Sequence, residues 1–276
     1  MNDEAVVFAF GLTLFAGLST GIGSLLAFFA KRTNTRLLCV SMGFSAGVMI
    51  YVSFVEIFDA AKINLIGLYG TRWGTAATVA AFFTGMALIA VIDKFVPESD
   101  NPHEAHSVEE MSLEPREHAE KHNDMAALHR AGIFTAIAIA IHNFPEGLVT
   151  FTSALIDPNL GVAISVAVAI HNIPEGIAVS VPLFYATGDR KKAFVYSFLS
   201  GLSEPLGALV GYAILSPFLS EGVIGFLFAG VAGIMVFISF DELLPAAEEY
   251  GEHHLSVYGM VGGMILMAVS LLLFID

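Results

Sequence analysis

Apolar residues gather into eight stretches, at about 5–30, 37–58, 73–96, 133–156, 160–185, 194–217, 223–244 and 256–275, and most polar residues fall between them. About 20 residues of helix cross a hydrocarbon core, so every stretch reaches spanning length. Lipid offers the backbone no partners, and each span must satisfy its own hydrogen bonds. The pattern therefore predicts an all-α, polytopic membrane protein with eight transmembrane helices. The first stretch follows Asn2-Asp3-Glu4, lacks a basic leader and is longer than a signal-peptide core, so it is expected to be retained.

Three interruptions of the apolar pattern fall inside spans. His142-Asn143-Phe144-Pro145-Glu146-Gly147 lies in the fourth and His171-Asn172-Ile173-Pro174-Glu175-Gly176 in the fifth, both near mid-membrane. Residues three and four apart share a helix face, so each copy presents its His, Asn and Glu together. Imidazole with carboxylate suits zinc and its first-row neighbours, whereas amide and carboxylate oxygens favour harder ions. The sixth span adds Glu204, within Leu202-Ser203-Glu204-Pro205. Three ionised carboxylates at the bilayer centre would cost roughly 2.5 kcal/mol or more each if unpaired. Lys and Arg are missing from those depths, so a divalent cation or protons must neutralise them. Pro145, Pro174 and Pro205 cannot donate to the carbonyls of Ile141, Ile170 and Gly201, which predicts kinks in helices 4, 5 and 6. Irregular backbone at this depth belongs inside protein or along a water-filled cavity.

Orientation follows from the twelve basic residues, since Lys and Arg beside spans stay cytoplasmic. Ten (Lys31, Arg32, Arg36, Lys94, Arg116, Lys121, Arg130, Arg190, Lys191, Lys192) fall in connections of one parity, against Lys62 and Arg72 in the other. Both termini are thus expected outside, in a cytoplasmic membrane. Helix 4 then runs outward and helix 5 inward, so the two hexapeptides are inverted relative to one another, the arrangement of inverted-repeat transporters with a midplane site.

The chain forms a single transmembrane domain, residues 1–276, whose one long polar connection is a His/Glu-rich loop at 97–130. That loop carries His103, His106, His118, His122 and His129 and is expected to be a solvated linker or a weak cytoplasmic metal-binding segment. A net charge of −14 disfavours nucleic acid and favours cations as partners. The single cysteine, Cys39, excludes an internal disulfide or thiolate cluster. Glycines at helical spacing (Gly17 and Gly21, Gly43 and Gly47, Gly207 and Gly211, Gly230 and Gly233, Gly259 and Gly263) predict close helix packing. Ser53 and Glu56 on helix 2, and Asp241 and Glu242 at the cytoplasmic end of helix 7 with His253 and His254 nearby, are secondary candidates along an ion pathway. Trp73 fits an interfacial anchor.

With the paired motifs, the third carboxylate and the topology in view, the chain resembles the ZIP (Zrt/Irt-like protein) metal transporter family, in its bacterial zinc-uptake form, over essentially its whole length. The resemblance implies a secondary transporter bringing divalent metal into the cell, zinc foremost, with iron and also manganese, cobalt or cadmium as further ions. It implies a binuclear centre: one ion held by His142, Glu146, His171 and Glu175, a second by Asn143, Glu146, Asn172, Glu175 and Glu204. Zn2+ and Fe2+ would be cargo rather than cofactors, and a homodimer is left open. Two other classes use the same ligands. An intramembrane zinc hydrolase lacks support, because there is no H-E-x-x-H and no nucleophile beside a base. A metal-gated channel or sensor predicts flux without saturation.

Overall fold

A computed structural model describes residues 3–29, 35–94, 140–187, 189–215, 220–250 and 253–273, so the 97–130 loop and both termini lie outside the described residues. Within them the chain is helical throughout: α1 (Asp3–Phe29), α2 (Thr35–Val52), α3 (Phe58–Lys94), α4 (140–156), α5 (Pro158–Thr187), α6 (Arg190–Gly201), α7 (Ser203–Leu215), α8 (Glu221–Ile238), α9 (Leu244–Tyr250) and α10 (His253–Leu272). Six segments among the described residues are long and apolar enough to cross a membrane. One of these, Cys39–Ile92, is far longer than a single crossing.

Its excess length is absorbed at Gly70, whose φ of 75° breaks α3. A Cβ on Gly74 would strike the backbone of Leu65 and Ile66, a contact that only a chain doubling back at Gly70 can make. The expected helix 2 therefore runs on past residue 58 to the break, and the expected helix 3 begins just after it, with Trp73 69% exposed near the bend. The expected helix 6 is likewise divided. The Leu202 amide still donates to the Phe198 carbonyl four residues back, at 3.1 Å, but α6 ends at Gly201 and α7 begins at Ser203, so the break falls at Leu202, three residues before Pro205. The carbonyl of Gly201, deprived of a donor by Pro205, lies against Gly17 of α1.

Helices group into two bundles. In one, α1 packs chiefly on α5 and also on α6 and α7; in the other, α3 packs on α8 and α2 on α10, with α9 against α2. Glycines set how close these helices come. Gly23 meets the backbone of Ile173, Gly176 that of Thr20, Gly147 that of Glu204 and Gly207 that of Phe144, all within the first bundle. Gly47 meets Met260, Gly263 meets Phe44, Gly233 meets Phe82 and Gly85 meets Gly230 within the second. Each approach leaves no room for a Cβ, which is how helices associate tightly in lipid. Of the expected small-residue pairs only Gly230 is not itself squeezed, its nearest Cβ neighbour being 3.9 Å away. Between bundles the contact is mainly α2 on α5, across an apolar cluster that includes Met49, Val52, Val149, Ile164 and Val168.

A second internal repeat emerges once the helices are laid side by side. Residues 46–61, Ala-Gly-Val-Met-Ile-Tyr-Val-Ser-Phe-Val-Glu-Ile-Phe-Asp-Ala-Ala, match 232–247, Ala-Gly-Ile-Met-Val-Phe-Ile-Ser-Phe-Asp-Glu-Leu-Leu-Pro-Ala-Ala, at eight of sixteen positions. Both copies widen into a π-turn at the same register, Ser53–Ile57 and Ser239–Leu243. Burial repeats too, with Ser53 and Ser239 sealed and Glu56 and Glu242 half-buried. The helix pairing is crossed: α2 packs on α10, which follows α8, and α8 packs on α3, which follows α2.

Candidate metal centre

The first hexapeptide lies in the opening turns of α4 as described and the second in the middle of α5, and the seven expected ligands are all at most 5% exposed. The structure pairs them across copies. His171 Nε2 lies 3.1 Å from Glu146 Oε1 and 3.3 Å from Oε2. His142 Nε2 lies 3.4 Å from Glu175 Oε1, near enough for an ion pair but without the alignment of a hydrogen bond. Each histidine thus faces the glutamate of the other motif, as an inverted pair of helices requires. The i, i+4 spacing places His and Glu on a common face, and the antiparallel partner completes each pair.

Glu204 joins this arrangement from the first turn of α7. The Nδ2 of Asn172 donates to Glu204 Oε1 and, at 3.0 Å, to the carbonyl of Ala16 on α1. Glu146 and Glu175 are both within electrostatic range of Glu204. The close approach of Gly147 to the Glu204 backbone brings α4 and α7 together at this level. On the other side, the Ser45 hydroxyl of α2 donates to the His171 carbonyl at 3.3 Å, tying the second bundle to the motif.

Much of this polar surface has no hydrogen-bond partner within the protein. Unsatisfied buried atoms include His142 Nδ1, both side-chain polar atoms of Asn143, Asn172 Oδ1, His171 Nδ1, both oxygens of Glu175 and Glu204 Oε2. A buried polar group left unpaired costs about 1–3 kcal/mol, and this density of orphans marks a place built for something besides packing. The donor set, two imidazoles, two amides and three carboxylates, fits a divalent transition ion with a harder neighbouring position. As the side chains stand, no three His, Cys, Asp or Glu among the described residues converge closely enough to grip one ion. They are engaged with each other as pairs instead.

Of the secondary candidates, Ser53 and Glu56 sit in the π-turn after α2, and Asp241 and Glu242 in the matching π-turn after α8. Ser53 is fully buried with an unpartnered hydroxyl. Asp241 is exposed, and Glu242 is close enough to act electrostatically on His142. His253 is exposed and bonded through Nδ1 to Glu248 at 2.6 Å, with the His254 ring 5.7 Å away. Sequence reasoning missed three further groups: the hydroxyls of Thr20, Thr150 and Ser153 are buried and unpartnered. For two of them the signal was available, since Thr150 and Ser153 continue the helical stripe begun by His142 and Glu146.

Residues 96–271 match the family described as ZIP zinc transporter. Over its whole length the chain is similar to curated bacterial proteins. It is 61% identical to the zinc transporter ZupT of Clostridium perfringens, covering 99% of this chain and 98% of that protein. It is 63% identical to the ZupT of Nitratidesulfovibrio vulgaris, covering all of both, and 62% identical to that of Lysinibacillus sphaericus, covering 99% and 100%.

Proposed function

The chain belongs to the ZIP family of zinc transporters, and from that premise we propose that it carries zinc inward across the cytoplasmic membrane through the crossed His–Glu centre of α4 and α5. It is a multi-pass membrane protein and a transporter, so the hydrolase reading is set aside. The observation that carries the site assignment is the exchange of partners between motifs, His142 with Glu175 and His171 with Glu146. In the resting pairs each imidazole is held by a carboxylate. An arriving divalent ion inserts between the partners, takes a nitrogen from each histidine and an oxygen from each glutamate, and displaces protons to do so.

A second ion, bound by Asn143, Asn172 and Glu204 with Glu146 and Glu175 shared, makes the centre binuclear. Its oxygen-rich donors would admit iron and manganese alongside zinc. The orphaned amide oxygen of Asn172 and the free Glu204 oxygen support this position. We take the topology to be eight transmembrane helices with both termini outside, Cys39–Ile92 counting as two crossings and α4 as another. Ser53 and Glu56 then lie toward the outer face, and Asp241 and Glu242 toward the cytoplasm. Alternating access by displacement of one bundle against the other is supported by the distribution of the glycine contacts named above, which knit each bundle internally and leave an apolar seam between them.

Uptake of zinc and iron into proteoliposomes tests the reading, comparing the parent with Glu146→Ala and His171→Ala. Uptake should saturate with concentration and be lost in both variants. Undiminished uptake in both would sink the site assignment, and flux without saturation would establish a channel.

A further inference from the structure

We propose that Thr150 and Ser153 of α4 form the outer approach to the metal centre, a run of hydroxyl oxygens that receives a divalent cation as it sheds water on the way to His142 and Glu146. The proposal rests on the transport reading above. At about 100° per residue, His142, Glu146, Thr150 and Ser153 fall within roughly an 80° arc of α4, and Asp157, just past its end with its amide still bonded to the Ser153 carbonyl at 2.8 Å, continues the register. With a rise of about 1.5 Å per residue, Thr150 stands about 6 Å beyond Glu146, Ser153 about 10 Å and Asp157 about 16 Å. Half a hydrocarbon core is about 15 Å, so the stripe leads from the buried centre to the membrane surface. Asp157 is exposed there, its Oδ1 accepting the Asn159 amide at 2.9 Å.

The two hydroxyls behave unlike their neighbours. A Ser or Thr buried in a helix ordinarily bonds back to a carbonyl in the preceding turn. Thr152 does so with Leu148 at 2.7 Å, Thr13 with Ala9 at 3.0 Å, Thr78 with Gly74 at 2.9 Å and Ser239 with Met235 at 2.8 Å. Thr150 and Ser153 are both fully buried and bond to nothing in the protein. Valine or alanine would fill these positions at less cost, so the unspent oxygens call for a polar visitor. Neutral hydroxyls suit a transient station, because an ion must be held well enough to enter and loosely enough to leave.

The internal repeat gives the track a direction. Twenty-nine residues separate His142 from His171, and the same offset carries Thr150 to Val179 and Ser153 to Pro182. Val179 is buried among Leu183 and Ala193. The hexapeptides are duplicated but their continuation is not: polar on α4, which leads outward, and apolar on α5, which leads inward. The symmetric centre thus has an asymmetric approach.

Uptake at zinc concentrations below saturation tests this in proteoliposomes with Thr150→Val/Ser153→Ala, with Thr152→Val as control and Glu146→Ala alongside. The double variant should keep or raise the melting temperature of the parent, since it loses only unsatisfied groups, while its uptake falls about three- to tenfold, the worth of one or two oxygen contacts. Thr152→Val should transport as the parent does. Parental uptake by the double variant, with Glu146→Ala inactive, overturns the approach and leaves the centre standing; full uptake by Glu146→Ala overturns the centre instead. A second measurement reads position directly. Ser153 is as sealed at rest as Cys39, so Ser153→Cys in a Cys39→Ser background should react with a membrane-impermeant methanethiosulfonate added outside when the transport cycle opens the outer face, and saturating zinc should protect it. Labelling from the inside alone, or from neither side, refutes the proposal.

Discussion

Truncating the crossed pairs one side at a time, and then together, exposes their wiring in the metal-free protein. Removing one partner of a buried ionic pair costs about 3–5 kcal/mol, because the other is left without compensation. For a chain of this size each kcal/mol is about 2–4 °C of melting temperature, so His142→Ala or Glu175→Ala alone should lower it by about 6–20 °C. His142 and Glu175 stand 3.4 Å apart, both nearly sealed from solvent, and the second truncation removes the very group that the first orphaned. The double variant should therefore melt close to the worse single one, a coupling as large as the smaller single cost, about 3–5 kcal/mol. His142→Ala with Glu146→Ala behaves differently. Those two lie in one motif and orphan different partners, Glu175 and His171, so their coupling should be clearly smaller than that of the crossed pair, although as i, i+4 neighbours they are not fully independent. Cys39 provides the assay: it is fully buried and the only cysteine, and a thiol-reactive fluorophore reports its exposure as the protein unfolds. Coupling within a motif equal to coupling across motifs would refute the exchange of partners.

Two other expectations follow from features described above. Gly23→Ala and Gly47→Ala put a methyl against the carbonyls of Ile173 and Met260 and should each destabilise by about 1–3 kcal/mol, whereas Gly67→Ala, with nothing within 4 Å, should stabilise by about 0.4–1 kcal/mol; equal melting shifts in the same thiol assay would contradict the packing. Zinc binding should release protons as imidazole and carboxylate exchange one another for metal, so calorimetric enthalpies should scale with the ionisation enthalpy of the buffer, and identical enthalpies in all buffers would count against it.

The helical, membrane-crossing character of the chain and the burial of the ligand residues were legible in the sequence because lipid imposes a simple rule on length and polarity. The face shared by His142 and Glu146 was legible too, since helical spacing alone decides it. What spacing within one helix could not show was that Glu146 would turn to His171 rather than to its own His142; that depends on how two antiparallel helices are offset. The break in α3 was also hidden. Gly70 is one glycine among 26, and only the tertiary contact between Gly74 and Ile66 marks it as the turn. The division of the sixth span falls at Leu202, beside the Gly201 carbonyl that Pro205 leaves without a donor. The unpartnered hydroxyls of Thr150 and Ser153 resemble any buried Ser or Thr until each hydrogen bond is accounted for.

The crossing of α2 with α10 and α3 with α8 also bears on how such a chain is made. A ribosome adding about 5–20 residues per second completes α2 roughly 200 residues before α10 emerges, an interval of about 10–40 s. Throughout it the glycine faces of α2, shaped for Ser256 and Met260, have only lipid, or the insertion machinery, to rest against. Neither copy of the α2-like repeat finds its mate within its own half, so the membrane must hold both halves before either can close. Assembly is thereby deferred to the end of synthesis, and a chain cut short after α7 would leave α2 and α3 inserted but unmatched, a clear substrate for membrane quality control.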